Sequence, residues 1–260
     1  MFSFYVPKEG ELGRSRMSDH EEHDGVERVA ADDGMVASRA LCALLERTAR
    51  SHGDTPALTV HGADGRRSGL TWAETRTETL RTAAGLRGLG VRRGDRVALI
   101  STPRPEYAVG YLGTIHLGAR PVSVHDSLPA EQVTYAGVDS GAVVAIVEEG
   151  VELRRWIQAL PELGSLLALV VIDQSTPRPR SVMSWNELVA AGADQSTADP
   201  RETRQRPEPP CSDEDTALVY VPDATGRPTG VARSHPEVLR SSGLDIDPTS
   251  RVAAAHGTHR

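Results

Sequence analysis

Residues 96–124 read RVALISTPRPEYAVGYLGTIHLGARPVSV, and this stretch decides the fold class. It opens with RVALI at 96–100, a continuous apolar run that is typical of a strand buried on both faces of a sheet. Ala108, Tyr111, Leu112 and Ile115 then recur at helical spacing and predict an amphipathic helix. RPVSV at 120–124 predicts a second strand. A strand, a helix and a strand in this order predict two parallel strands joined by a crossover helix.

The same alternation continues on both sides of this unit. Upstream, the pattern predicts a helix from residue 37, a strand at 56–60, a turn at 62–69, and a helix that opens with a Thr71/Glu74 capping box and ends near Gly88. Downstream, it predicts a helix from Ser127 to about Val138, a strand at 142–147, a helix at 151–160, a strand at 166–172, a short helix capped by Ser184 and Glu187, a strand at 216–221, and a helix at 236–242. The fold class predicted is therefore α/β, with a mainly parallel sheet flanked by helices.

The composition along the chain predicts four segments. Residues 1–36 are polar and acidic and are expected to be disordered, because they cannot bury enough apolar surface to order themselves. Residues 37–191 are expected to form a first α/β unit, and the polar, proline-rich stretch 192–212 a linker. Residues 213–260 would begin a second, incomplete unit. An incomplete sheet leaves an unpaired edge, so we expect self-association or a protein partner.

Bulk properties exclude several classes of partner. The 260 residues carry a formal net charge of −7, so no basic face for nucleic acid is expected. No run of 18 apolar residues occurs, so no membrane-spanning helix is expected. The first residues lack a basic region followed by an apolar one, which predicts no secretory signal and a cytoplasmic location. Cys42 and Cys211 lie far apart and outside any CxxC pair, so they are interpreted as free thiols with no metal site.

The stretch VYVPDATGRPTGV at 219–231 is the strongest candidate site. It follows a predicted strand, and ligands of parallel sheets bind at the carboxyl ends of strands. Gly226 and Gly230 would let the backbone approach a ligand, while Thr225 and Thr229 could donate hydroxyl hydrogens. The chain contains no GxxxxGK[ST] motif, so this is not a Walker A loop. Spacing alone leaves two interpretations open, a phosphate cradle or a glycine- and proline-rich turn between two strands.

Other candidates are weaker. The letters HDS at 125–127 do not make a catalytic triad, because a triad depends on geometry rather than on neighbouring positions, and Ser127 is interpreted as a helix N-cap. His235 could line a site or end a strand. Four histidines in polar or terminal segments are interpreted as solvated: His20, His23, His256 and His259. The three tryptophans are interpreted as packing residues: Trp72, Trp156 and Trp185.

Several stretches taken together resemble the AMP-forming acyl-CoA synthetases, a family of adenylate-forming ligases. The stretches that carry the resemblance are LTWAETRTETLRTAAGLRGLGVRRGDRVALIS, RPEYAVGYLGTIHLGARPVSV, SLPAEQVTYAGVDSGAVVAIVEE, LALVVID with VMSWNELVAAG, and TALVYVPDATGRPTGVARSH. They run from about Leu41 to about His256 in the family's order. LPAEQVTY followed by DSGA is most similar to the long-chain fatty acid branch, which implies a place in fatty acid metabolism.

The resemblance implies a two-step reaction. A carboxylate, such as a fatty acid, attacks the α-phosphate of Mg·ATP to give an acyl-adenylate, and the thiol of CoA then displaces AMP. ATP and Mg²⁺ are therefore the implied cofactors. Members of this family are longer than this chain, so the resemblance implies their N-terminal portion only. The family's C-terminal catalytic lysine has no counterpart, since Lys8 is the only lysine, and CoA is not expected to be used by this chain alone. No catalytic residue is assigned.

The family's signature loop reads Y-T-S-G-T-T-G-x-P-K-G-V, and this chain departs from it. The positions that match are Tyr220, Thr225, Gly226, Pro228, Gly230 and Val231, and those that differ are Val221, Pro222, Asp223, Ala224 and Thr229. The implied ATP-phosphate loop is thus Thr225, Gly226, Arg227, Pro228, Thr229 and Gly230. Pro222 removes an N–H donor, Thr229 replaces a cation, and Asp223 adds an anion. One charge pair at about 5 Å and an effective dielectric of ~20 is worth roughly 3 kcal/mol, so the loop is expected to be degenerate.

These observations lead to three hypotheses. The first is a truncated acyl-CoA synthetase homologue, impaired or inactive alone. The second is a non-catalytic interaction module that docks on another protein. The third is one half of a split ligase that a second chain completes.

Overall fold

The computed structural model describes residues 38–61, 67–102, 104–124, 129–172, 179–198, 216–223 and 227–241. The helices are α1 (Ser38–Ser51), α2 (Trp72–Gly88), α3 (Pro105–His116), α4 (Ala130–Ser140), α5 (Val151–Ala159), α6 (Trp185–Ala198) and α7 (His235–Ser241), with a short 3₁₀ helix at Leu160–Glu162. The strands are β1 (Pro56–His61), β2 (Arg67–Thr71), β3 (Arg96–Ile100), β4 (Arg120–Val124), β5 (Val144–Val147), β6 (Ala168–Val171), β7 (Val182–Ser184), β8 (Thr216–Pro222) and β9 (Pro228–Ser234).

A seven-stranded sheet forms the centre of the described fold. Its strand order is β7-β6-β5-β3-β4-β8-β9, and every pairing in it is parallel except that of β8 with β9. The chain lays β4 on one side of β3 and β5 on the other, with a helix between consecutive parallel strands from β3 to β6. The predicted fold class, a mainly parallel sheet flanked by helices, is confirmed.

The strand β3 shows why the central strands are apolar at every position. Val97 and Leu99 belong to a core layer with Leu86 of α2 and Tyr111 of α3. Ala98 and Ile100 point to the opposite face, into a second layer that contains Trp156 of α5. Because successive side chains of a strand alternate between faces, a strand covered by helices on both sides needs apolar residues throughout. The three tryptophans are buried in these layers, as predicted for Trp72, Trp156 and Trp185.

Both predicted capping boxes are confirmed. At the start of α2, Glu74 N–H donates to Thr71 Oγ1 at 3.2 Å, and Thr71 N–H donates to Glu74 Oε2 at 2.8 Å. Before α6, Glu187 N–H donates to Ser184 Oγ at 3.2 Å, and Ser184 N–H donates to Glu187 Oε2 at 2.7 Å. Each box satisfies backbone N–H groups that the first helical turn leaves unpaired.

Two short strands, β2 and β7, were not predicted. β2 (Arg67–Thr71) pairs with β1 in a separate antiparallel hairpin and overlaps the end of the predicted turn at 62–69. β7 has three residues, too few to give a run of apolar residues. The strand β9 was left as part of an open interpretation, a turn between two strands, because its exposed half gives no run of apolar residues either. The central strands β5 and β6 are shorter than predicted by a few residues.

The helix predicted from Ser127 begins later. α4 begins at Ala130, with Pro129 in extended backbone as its N-cap residue, and Ser127 lies outside the described residues. A proline disfavours helical backbone at the residue before it, so a helix that included 127 and 128 would conflict with Pro129. The predicted helix start at Ser127 is therefore wrong.

The predicted linker also begins inside a helix. α6 continues through Gly192 to Ala198, so the boundary at 192 is wrong, while 199–212 lie outside the described residues. A Cβ at Gly192 would lie 1.9 Å from the backbone oxygen of Arg81 in α2, so this glycine serves close helix packing rather than a loop.

β8 and β9 extend the same sheet as the strands of the first predicted unit, since β8 pairs with β4. The sheet thus has no break between 37–191 and the segment from 213 on, and a division into units stays a prediction from composition. The predicted disordered segment 1–36 lies outside the described residues. Within the described residues, no helix is both long enough and apolar enough to cross a bilayer.

Candidate functional site

The candidate motif lies on the hairpin of β8 and β9 at the edge of the sheet. The ladder runs from Thr216↔Ser234 to Pro222↔Pro228, and Asp223 N–H then donates to the Arg227 carbonyl at 2.7 Å. The loop between the strands thus spans 223–227, at the carboxyl end of β8. Of the predicted loop residues, Pro228, Thr229 and Gly230 lie in β9, Arg227 closes the loop, and Thr225 and Gly226 lie outside the described residues.

The Asp223 side chain closes this loop a second time. Its Oδ1 accepts a hydrogen bond from the Arg227 backbone N–H at 2.9 Å. An N–H group in a loop after a strand is the kind of donor that holds a phosphate oxygen, and here the chain's own carboxylate already uses it. Asp223 is exposed to solvent.

Two prolines flank the loop. Pro222 and Pro228 face each other on the last rung of the ladder, and neither has an N–H to donate. Because the Asp223–Arg227 pair is hydrogen bonded, the alternation of an antiparallel ladder makes the Pro222–Pro228 pair a non-hydrogen-bonded one. The hairpin therefore tolerates both prolines, and the loop offers fewer N–H donors to an anion than the family's signature would.

Helix α4 contacts both ends of the hairpin loop through two residues one turn apart. Tyr220 of β8 donates its hydroxyl hydrogen to Oδ2 of Asp139. The guanidinium carbon of Arg227 lies 5.5 Å from the ring centroid of Tyr135, within the range of a cation–π contact. Sequence analysis missed both helix residues, because the contacts join positions far apart in the chain and no local pattern marks them.

The hydroxyl of Tyr220 stays protonated at ordinary pH. Burial raises the pKa of Tyr220 well above its usual value of 10, and the hydrogen bond and negative charge of Asp139 raise it further, while Arg96 opposes the shift. A phenol that keeps its proton can donate to the carboxylate, so the contact between α4 and β8 persists across the physiological range.

A cavity of about 360 Å³ lies between α4 and the hairpin. Its polar lining comes from Arg96, Tyr135, Asp139, Tyr220 and Thr229. Arg96 Nη1 also donates to the Ser140 carbonyl at 2.7 Å, which fixes the arginine against the end of α4. Thr229, which stands where the family's signature has a lysine, also borders this cavity.

Gly230 is explained by packing. A Cβ at this position would lie 3.1 Å from Leu218 Cδ1 and 3.2 Å from Tyr220 Cζ, both on the neighbouring strand. The glycine thus leaves room for side chains of β8. Its close approach to a ligand, which the sequence suggested, stays a prediction.

His235 lies at the end of β9, where it begins α7. It is 1% exposed, and its Nδ1 lies 2.6 Å from the hydroxyl of Tyr111, which is itself buried. Of the two interpretations left open for His235, the structure supports the packing role at the end of a strand. The HDS stretch at 125–127 and Cys211 lie outside the described residues, and Cys42 is buried and forms no disulfide among the described residues. The described residues contain no cluster of His, Cys, Asp and Glu that could hold a metal ion.

A second polar cluster lies where the chain order reverses, at the carboxyl ends of β3 and β5. Open sheets of this topology commonly bind ligands there. Glu148 accepts hydrogen bonds from Thr102 N–H at 2.8 Å and from Arg104 Nη1 at 3.2 Å, and Arg104 Nε donates to Glu106 at 2.8 Å. The charged groups of this cluster bind one another, so we assign no ligand site to these described residues.

A family model described as AMP-binding enzyme matches residues 45–256. The chain therefore belongs to the AMP-binding enzyme family, as the sequence resemblance predicted.

Curated relatives include ligases of which this chain spans a part. It is 31% identical over 167 residues to the long-chain-fatty-acid–CoA ligase FadD15 of Mycobacterium bovis, covering 64% of this chain and 26% of the ligase. It is 30% identical over 210 residues to a salicyl-AMP ligase / salicyl-S-ArCP synthetase of Mycobacterium tuberculosis, covering 79% and 35%. A shorter relative, the uncharacterized protein Rv1549 of M. tuberculosis, is 40% identical over 141 residues, which cover 54% of this chain and 76% of that protein.

Solved structures give the same result. The anthranilate CoA ligase AuaEII in complex with anthranoyl-AMP matches with a TM-score of 0.60 at 25% identity, over 75% of this chain and 34% of that one. Acetoacetyl-CoA synthetase from Streptomyces lividans also matches with a TM-score of 0.60 at 25% identity, over 76% and 31%. The chain is thus similar in fold to about a third of each of these two proteins.

Proposed function

We propose that this chain is the N-terminal portion of an adenylate-forming acyl-CoA ligase-like protein. We also propose that the hairpin of β8 and β9 binds Mg·ATP weakly or not at all on its own. The observation that carries the proposal is the position of the Asp223 carboxylate. It accepts the Arg227 backbone N–H at 2.9 Å, which occupies a donor that an ATP phosphate would need.

Electrostatics support the same conclusion. A phosphate about 5 Å from Asp223 would be repelled by roughly 3 kcal/mol at an effective dielectric of ~20, and by less here because Asp223 is exposed and Mg²⁺ carries positive charge. Thr229 stands where the family's signature has a lysine, so the hairpin lacks that cation. Both changes lower the affinity for a triphosphate relative to the family's signature loop.

The substrate class proposed is a carboxylate, with a fatty acid as the leading example. The matched relatives are named for a fatty acid and for a salicyl group, and both of these are carboxylates. ATP with Mg²⁺ would supply the adenylyl group. We propose that CoA is not used by this chain alone and that the protein acts in the cytoplasm, in fatty acid metabolism.

A titration of Mg·ATP by calorimetry tests the weakened loop. We compare the native chain with an Asp223→Gly/Thr229→Lys variant, which removes the anion and restores the cation. The variant is expected to bind about thirtyfold more tightly, which corresponds to about 2 kcal/mol. Asp54→Gly makes the charge change of Asp223→Gly alone at an exposed turn before β1 and should leave the affinity unchanged. Equal micromolar affinity of the native chain and the double variant would overturn the proposal.

A second candidate function is a non-catalytic interaction module, or one half of a split ligase completed by a second chain. The observation that favours it is β9, an edge strand of the described sheet whose residues are mostly exposed. Mixing this chain with a second chain that carries the remaining part of a related ligase distinguishes the two. Carboxylate-dependent exchange of pyrophosphate into ATP would support the split ligase, whereas binding without exchange would support the interaction module. If the mixture shows neither binding nor exchange, both alternatives are excluded.

A further inference from the structure

The cavity between α4 and the hairpin has an apolar floor. Tyr220 faces Gly230 across the ladder of β8 and β9, and residues that face each other in this way point to the same side of a sheet. The hydrogen bond of Tyr220 to Asp139 shows that this side is the one that α4 covers. Leu218, two residues before Tyr220, points to the same side and also borders the cavity. Because Gly230 has no side chain, Leu218 and the Tyr220 ring form the floor.

Two opposite charges border this cavity at the C-terminal end of α4. Arg96 Nη1 donates to the Ser140 carbonyl at 2.7 Å, and the carboxylate of the preceding residue, Asp139, accepts the Tyr220 hydroxyl through Oδ2. Among the described residues, nothing else bonds to the Arg96 guanidinium or to Asp139 Oδ1, and the two charges do not pair with each other. A guanidinium has five N–H donors and a carboxylate has two acceptor oxygens. Each charged group therefore keeps hydrogen-bonding capacity for a ligand.

The pair of charges selects the class of ligand that fits. A simple anion would bind Arg96 but would be repelled by Asp139, and a simple cation would meet the reverse. A molecule with both a carboxylate and an ammonium group satisfies both residues through charge-assisted hydrogen bonds. The volume of about 360 Å³ lies near the lower end of ligand pockets, which favours a small molecule. Tyr135 is 41% exposed although Arg227 lies over its ring, so it keeps aromatic surface for an apolar group.

We propose that this cavity binds a small zwitterion, an α-amino acid with an aromatic side chain. The carboxylate of the ligand accepts hydrogen bonds from Arg96, and its ammonium group donates to Asp139 Oδ1. The aromatic side chain of the ligand lies on the floor of the cavity, against Tyr220 and Tyr135. This site goes beyond the proposed function, since none of these contacts involves ATP or the loop at 223–227.

A titration of the native full chain, labelled with ¹⁵N and followed by NMR, tests the class of ligand. The probes are L-phenylalanine and two compounds that each lack one of its charges, 3-phenylpropionate and phenethylamine. We expect L-phenylalanine to shift amide signals of α4 and β9 in a saturable way, with a Kd of about 1 mM, and each of the other two to bind at least tenfold more weakly. The proposal is overturned by equal affinity for the three probes, by no saturable shift up to about 10 mM, or by shifts confined to other parts of the chain.

An Asp139→Asn variant tests the role of the carboxylate. It removes the charge but keeps an oxygen that can accept from Tyr220, so the Kd for L-phenylalanine should rise about tenfold or more, while that for 3-phenylpropionate should stay the same or fall. Glu131→Gln, in the exposed first turn of α4, makes the same charge change and should leave both values unchanged. An equal loss of both ligands, or no loss of either, would overturn the proposal. Neither titration contains Mg·ATP, so failure here leaves the weakened loop untouched.

Discussion

Replacing Gly192 by alanine tests the close packing of α2 against α6. A Cβ at Gly192 would lie 1.9 Å from the Arg81 carbonyl oxygen and 2.8 Å from the Gly85 backbone nitrogen. These are backbone atoms of a helix, so no side-chain rotation relieves the overlap. The two helices would have to separate by about 1.5 Å to reach the 3.4 Å of an ordinary contact.

The cost of this separation follows from what the interface buries. Leu188 of α6 and Leu86 of α2 are both fully buried between the sheet and these helices. Overpacking a close-packed interior costs about 1–3 kcal/mol and sometimes more. Alanine recovers about 1 kcal/mol over glycine through its higher helix propensity. Because the overlap is with backbone, we take the upper part of this range and expect a net loss of about 2 kcal/mol.

Thermal unfolding followed by circular dichroism measures this loss. For a chain of this size, 2 kcal/mol lowers the Tm by about 4–8 °C. Gly164→Ala is the matched control, since a Cβ there would meet nothing within 4 Å, and its Tm should stay close to that of the native chain. A Gly192→Ala chain that melts with the native one would refute the packing role of Gly192 and the helical reading of residues 192–198.

Four further predictions concern the contact of Tyr220 with Asp139 and the cap of α2. Tyr220→Phe removes the hydroxyl that donates to Asp139 and should lower the free energy of unfolding by about 1–2 kcal/mol in urea denaturation, since the exposed carboxylate regains water. The folded-state pKa of Tyr220 is raised, so its contribution to the free energy of unfolding is fully present below pH ~10 and is lost as the pH rises above that value. A pH series of unfolding curves should therefore show a loss of stability in alkali, and Tyr220→Phe should reduce that loss. Thr71→Ala removes the N-cap side chain of α2 and should lower the free energy of unfolding by about 1 kcal/mol in the same assay. Thr77→Ala, on the exposed face of the same helix, is the control. A smaller loss for Thr71→Ala than for Thr77→Ala would contradict the capping role. The folded-state pKa of Glu74 is lowered, first by the backbone N–H of Thr71 and then by its side chain. The share of Glu74 in the cap is therefore present above the unfolded value of 4.5 and is lost as the pH falls below it. The Thr71→Ala chain, which keeps the backbone N–H, should show a reduced but not abolished loss.

Sequence patterns predict the central part of the fold well, because its strands are buried on both faces. β3 needs apolar residues at every position, and such runs alternate with helices whose apolar residues recur at helical spacing. The edges carry weaker signals. β9 is half exposed and contains a glycine and a proline, which are also the residues of a turn, so its letters do not distinguish the two.

The helix α6 shows a different reason for an incorrect prediction. Gly192 and the polar residues after it match the composition of a linker, but the glycine is required by the backbone of α2 on the neighbouring helix. A close approach between two helices depends on tertiary packing, and no window of sequence contains it.

The geometry around the candidate hairpin also depends on tertiary packing, so the sequence could predict only part of it. The local departures at Pro222, Asp223 and Thr229 are visible in the sequence, and their charge and donor count give the sign of the effect on ATP binding. The contact of the Asp223 carboxylate with Arg227 N–H depends on the hairpin geometry. The contacts of Tyr220 and Arg227 with α4 depend on the packing of that helix against β8 and β9.

Thermal unfolding of the native chain with and without excess Mg·ATP tests the central claim most directly. A ligand at 100 times its Kd adds about 2.7 kcal/mol of stability, a shift of about 5 °C or more for a chain of this size. Because the Asp223 carboxylate already accepts the Arg227 N–H, we expect no shift of the Tm at millimolar Mg·ATP. A shift of 5 °C that the Asp223→Gly/Thr229→Lys variant does not exceed would contradict the claim and would show that the loop holds nucleotide as it stands.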